Sequence, residues 1–168
     1  MRRILIVLVV ALLPAMAFAD FQIGGVGMYK GDVTTISAAG IGLTDFTFGA
    51  EARLKLGLLQ GGASLLYYPG ASYNSILALT DIGVSLDVAF LRLGLGLGPN
   101  LAVNLGSAAA TPVNVGLNLK LSADVNLGSL SIELVGFYYL NDFSDFSNLG
   151  TIFSKLPWIG VTAMVKLF

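Results

Sequence analysis

Strict alternation is the feature that limits this chain most. In Asp45–Gly57, "DFTFGAEARLKLG", every second residue (Phe46, Phe48, Ala50, Ala52, Leu54, Leu56) is apolar. The residues between them are charged, hydroxylated or glycine. A period of two belongs to a β-strand with one greasy and one polar face. The same template fits Phe21–Tyr29, Gln60–Tyr68, Leu79–Val88, Leu91–Gly98, Val113–Asp124, Ser129–Leu140 and Trp158–Phe168. A hydropathy scan flags Leu86–Leu105 as a membrane helix, but that stretch contains "LRLGLGLG". Each of those glycines weakens a helix interior by roughly 1 kcal/mol. Read as a strand, it sets Leu91, Leu93, Leu95 and Leu97 against Arg92, Gly94, Gly96 and Gly98.

The connections sort into two kinds. Short turns follow the second, fourth and sixth strands, at Leu58-Leu59, Ala89-Phe90 and Val125–Gly128. Long loops follow the first, third, fifth and seventh, at Lys30–Thr44, Pro69–Ala78, Pro99–Pro112 and Asn141–Pro157. This sorting around an even number of antiparallel strands is the plan of an outer-membrane barrel, with short turns and both termini periplasmic and long loops extracellular. The expected fold class is therefore all-β, an eight-stranded antiparallel up-and-down transmembrane β-barrel.

The N-terminus has its own grammar. Arg2 and Arg3 precede an apolar run, Ile4–Met16, and Ala17-Phe18-Ala19 supplies a small-x-small cleavage pattern. That divides the chain into a cleaved signal peptide, 1–19, and a barrel, 20–168. Composition points the same way. Only 11% of the residues are charged, against about 25% in soluble domains, so water alone is not the expected outer solvent. Nine basic residues against ten acidic ones, without a basic cluster, give nucleic acid no footprint.

Alternation leaves open which face points out. A soluble periplasmic ligand-binding barrel would put its leucines inside and its charges in water. Here the polar face is rich in glycine and serine, which suits a crowded interior. It also carries a balanced set of charges: Glu51, Asp81, Asp87, Asp124 and Glu133 against Arg53, Lys55, Arg92, Lys120 and Lys166. A turn at Ala89-Phe90 sets Asp87 opposite Arg92. A turn at Asn126-Leu127 would set Lys120 opposite Glu133 and Ser122 opposite Ser131. These registers predict a lumen charge network and a lipid-facing leucine surface. Towards the long loops the inward positions become Leu66, Tyr68, Val135, Phe137, Tyr139 and Trp158, a possible apolar lumen mouth above a charged plug.

With these features the chain resembles the small eight-stranded outer-membrane barrels of the OmpA membrane domain, OmpX/Ail and OmpW type. The likeness is carried by the leader, the eight alternating strands, the loop asymmetry and the final strand "WIGVTAMVKLF". It implies that Phe168 serves as the C-terminal insertion signal read by the barrel-insertion machinery. Lys166 stands where such proteins usually have tyrosine or another apolar residue.

Catalytic chemistry is scarce. The chain has no histidine and no cysteine, which removes the His-dependent nucleophile systems and the commonest metal ligands. Asp142 and Asp145 are too few for a calcium site. No enzyme activity, cofactor or metal is expected. The expected function is that of an integral outer-membrane barrel with a structural or surface-interaction role, its partners being outer-membrane lipid and a surface partner at the loops. The alternatives are an OmpW-like narrow channel or carrier for small hydrophobic molecules, and the soluble ligand-binding barrel. N-terminal sequencing of the exported protein should begin at Asp20; a chain that retains Met1–Ala19 would mean the leader is an anchor.

Overall fold

The computed structural model describes residues 19–30, 42–70, 74–106, 113–140 and 158–168. The leader (apart from Ala19), Asp142 and Asp145 lie outside these residues. Eight antiparallel strands follow one another around a closed barrel. They are β1 (Ala19–Tyr29), β2 (Phe46–Leu56), β3 (Leu59–Tyr68), β4 (Asn74–Val88), β5 (Leu91–Leu105), β6 (Val113–Leu127), β7 (Leu130–Leu140) and β8 (Trp158–Lys166). The all-β, up-and-down expectation holds.

Closure fixes a stagger. Stepping across paired residues from Ala19 passes through Leu56, Leu59, Val84, Leu95, Leu121, Gly136 and Ile159, and returns to β1 at Tyr29, ten residues on. With eight strands such a shear tilts them by about 40° and leaves an interior just wide enough for side chains to fill. The tight wall explains two of the inward glycines. A Cβ on Gly83 would lie 1.8 Å from the Leu95 carbonyl oxygen, and one on Gly98 2.0 Å from that of Thr80.

β4 and β5 are each longer than the alternation indicated. Pro99, the expected start of the long loop Pro99–Pro112, sits inside β5, and its lack of an N–H interrupts the ladder locally. The Thr80–Pro99 and Asp81–Gly98 pairs are missing between Leu79–Asn100 and Ile82–Leu97. Side chains repair the gap: the Thr80 hydroxyl donates to the Pro99 carbonyl at 3.0 Å, and the Asn118 amide donates to the Thr80 carbonyl at 3.2 Å. β4 begins at Asn74 rather than at the expected Leu79, for a different reason. Ile76 and Ala78 face out while Leu77 and Leu79 face an apolar interior, so polarity does not alternate there.

Among the described residues, three two-residue turns join strands, at Gly57-Leu58, Ala89-Phe90 and Gly128-Ser129. In each, the first residue has a positive φ: 62° at Gly57, 56° at Ala89 and 76° at Gly128. That is the type II′ pattern, which favours glycine at this position. The first turn therefore lies one residue before Leu58-Leu59. The third falls two residues beyond Asn126-Leu127, because Gly128 takes the left-handed position. Ala89 is the one non-glycine residue with positive φ among the described residues. Ala89→Gly should relieve that strain and stabilise the barrel by roughly 0.5–1 kcal/mol; urea unfolding of the detergent-folded protein measures it.

Candidate functional site

The barrel interior concentrates the chemistry, because every strand turns its polar positions inward. Glu51 and Arg53 project from β2, Lys120 and Asp124 from β6, and Glu133 from β7; all are at most 3% exposed. β2 and β6 stand on opposite walls, so the two cations span the lumen in opposite directions. The Arg53 guanidinium donates from Nη1 to Asp124 Oδ1 at 2.8 Å and from Nη2 to Glu51 Oε1 at 3.2 Å. Its Nη2 also lies 2.5 Å from Glu133 Oε2. Lys120 Nζ crosses the other way to Glu51 and lies 3.3 Å from Glu133 Oε1. Three carboxylates thus share two cations in a layer from which water is nearly excluded.

A second, wetter ring lies nearer the short turns. Arg92 donates from Nε to Asp87 Oδ1 and from Nη2 to Asp20 Oδ2, both at 2.8 Å. Lys55 bonds the other oxygen of Asp87, and Lys166 Nζ approaches Asp20 Oδ2 at 3.6 Å. The Asp87 and Lys166 side chains are 45% and 43% exposed. Asp87 and Arg92 face each other across the turn, where the sequence placed them.

Asp81 stands apart from both rings. Its carboxyl is buried and sits between two glycines on flanking strands; a Cβ on Gly62 or Gly96 would come within 2.5 or 2.6 Å of its oxygens. Among the described residues no ion pair reaches it, and its Oδ1 has no hydrogen-bond partner.

One expected register is wrong. Because the third turn lies at Gly128-Ser129, Lys120 is opposite Phe137 and Ser122 opposite Val135, while Glu133 is opposite Asp124 and Ser131 opposite Asn126. Like charges therefore face each other between β6 and β7, and Arg53 from the far wall bonds both. Lys120 still reaches Glu133, but from a position higher on the wall. The slip is even-numbered, so every residue kept its face.

Towards the loop end the interior becomes apolar. Leu66, Val135 and Phe137 are buried in a cluster with Val26, Met28, Leu77 and Leu79, and Tyr139 and Trp158 pack against it. Trp158 lies 4.5 Å from the Tyr139 ring centroid and 5.6 Å from that of Tyr68. These rings pack against one another. Phe168 has the parity of the inner face, but it lies beyond the end of β8 at the closing seam and its side chain is exposed. Phe21 and the terminal residues exchange backbone bonds, Phe21 N–H to Phe168 C=O at 3.0 Å and Leu167 N–H to Phe21 C=O at 2.8 Å. The Phe168 ring stacks on Phe21 at 5.4 Å.

Sequence reasoning missed Asp20, the shared acceptor of Arg92 and Lys166. Asp20 precedes the expected first strand at Phe21, yet it keeps the parity of the inward Gln22, and that phase is the available signal. Buried Thr47, Gln60, Asn118 and Thr162 were also passed over. No protein-family model matches the chain, and no curated protein matches it.

The network ranks its members. Arg53→Met strands Asp124 and leaves Glu51 and Glu133 with Lys120 alone, and should cost about 3–5 kcal/mol. Adding Asp124→Asn and Glu133→Gln should recover much of that loss. Lys120→Met should cost less than Arg53→Met, because both its carboxylates keep Arg53. Thermal unfolding in detergent, followed by gel mobility of unheated samples, tests the order; equal losses below about 1 kcal/mol would mean a hydrated network of no consequence.

Proposed function

We propose that this chain is an integral outer-membrane β-barrel with a structural or surface-interaction role, its long loops extracellular and its short turns periplasmic. The observation that carries this reading is an inverted exposure. Arg53, Lys120, Asp124 and Glu133 are at most 1% exposed, while Leu65, Ile82, Leu86 and Leu134 on the outer wall are 55% or more exposed. A soluble barrel would need the opposite assignment, since it must bury its apolar face and hydrate its charges. In lipid the arrangement is at rest: the outer side chains meet hydrocarbon, and ladder pairing, mended by Thr80 and Asn118 beside Pro99, satisfies the backbone of the wall.

The role follows from how the interior is filled. Ion pairs crossing the lumen and the apolar cluster above them leave a plug, which favours a scaffold that presents loops over a wide conduit. Insertion would proceed through the C-terminal strand with Phe168 as its signal, and the loops would meet a surface partner. A carrier for small hydrophobic molecules, the second reading, would require the Tyr68, Tyr139 and Trp158 rings to part.

Fractionation of the native host should place the protein in the outer membrane, and the unheated protein should migrate faster on SDS gels than the boiled one. In planar bilayers it should give no large, steady conductance. Recovery from the soluble periplasm would overturn the membrane assignment, and a large open conductance would overturn the plugged-scaffold role.

A further inference from the structure

The mouth of the barrel already holds a cation on an aromatic face. Lys30 directly follows β1, and its ammonium lies 3.3 Å from the centroid of the Tyr68 ring, where the ring quadrupole attracts positive charge. The Tyr68 ring is braced by Trp158, which packs in turn on Tyr139. Lys30 also donates to the Pro69 carbonyl. Three strand ends thus supply a rigid aromatic wall, and a flexible side chain supplies the ion. All of Lys30, Tyr68, Pro69 and Trp158 remain partly solvent-accessible.

We propose that this aromatic wall is a binding site for a small quaternary ammonium group, with Lys30 as its built-in competitor. The chemistry favours the external ligand. A primary ammonium is compact and strongly hydrated, so it gives up much solvation to sit on a ring. The Lys30 site shows that cost: burial pulls its pKa below the ordinary lysine range, by more than nearby Asp45 raises it. An alkylated ammonium sheds its weak hydration readily and keeps the full attraction to the ring, the basis of choline-type recognition. The proposal is independent of whether the barrel carries anything across a membrane.

The chain's single tryptophan is Trp158, so intrinsic emission reports this site directly. The full-length protein, folded in an uncharged maltoside detergent, is titrated with tetramethylammonium and choline, and separately with the neutral isostere 3,3-dimethylbutanol. Both cations should shift Trp158 emission saturably, and the neutral compound should act far more weakly. In Lys30→Ala the apparent affinity for the cations should rise by at least about threefold, the scale of a cation–π contact at a partly exposed site. Tyr68→Leu should abolish the response while unheated gel mobility shows the barrel intact. An equal response to the neutral isostere would reduce the site to a greasy patch. No saturable response from folded Lys30→Ala would overturn the proposal outright.

Discussion

The barrel hangs on two cations that cross its interior in opposite directions. Arg53 reaches from β2 to Asp124 on β6 and Glu133 on β7, and Lys120 reaches from β6 back to Glu51 on β2. Each also has a carboxylate on its own wall, Glu51 for Arg53 and Glu133 for Lys120, but its nearest partner lies across the lumen. Desolvating such groups is costly, and only a closed barrel of this diameter brings the compensating charges within reach. The brace also fixes facing. A one-residue slip of β2 would turn Glu51, Arg53 and Lys55 outward together.

Much of this was legible because facing depends on parity alone. A polar side chain every second residue identifies the inner set wherever the turn lies, provided errors are even-numbered. A turn displaced by one residue slips the register by two and one displaced by two slips it by four, so both kept parity; Lys120 and Glu133 lie inside, but with other neighbours than a turn at Asn126-Leu127 would give them. What the sequence concealed has physical causes. Where the interior turns apolar, as at Leu77 and Leu79, both faces of β4 are greasy and the period vanishes. At Pro99 a missing donor looked like the end of a strand, because the Thr80 hydroxyl and the Asn118 amide that mend the gap come from other strands. The trans-lumen partnership of Arg53 was beyond adjacent-register reasoning altogether, since its partner Asp124 is 71 residues away.

The interior is graded along its axis. At the turn end the charges are partly wet, and Asp87, nearly half exposed, tolerates two cations. In the middle the charges are dry and interlocked. Beyond them Phe137 and Leu66 lie in an apolar layer, capped by aromatic rings. On the proposed membrane reading, such a sequence excludes water most completely in the middle and the apolar layer, between a wet turn end and a partly accessible mouth. The dry middle then serves as the rigid section from which the loop-bearing strand ends project.

The seam between β1 and β8 bears on how the molecule comes to exist. Ile23 pairs with Val165, and Phe21 with the backbone at Leu167 and Phe168, so the contact that completes the wall joins the first strand of the barrel to the last. The other ladders join strands adjacent in sequence; this one pairing is distant, and its loop closure must precede any reward. Until that seam forms, the sheet has two bare edges, each a template for strand addition by another molecule. The sheet therefore stays open to self-association until closure, even when the seven ladders between neighbouring strands are in place. An escort that masks either edge would act at that moment and have nothing left to hold afterwards.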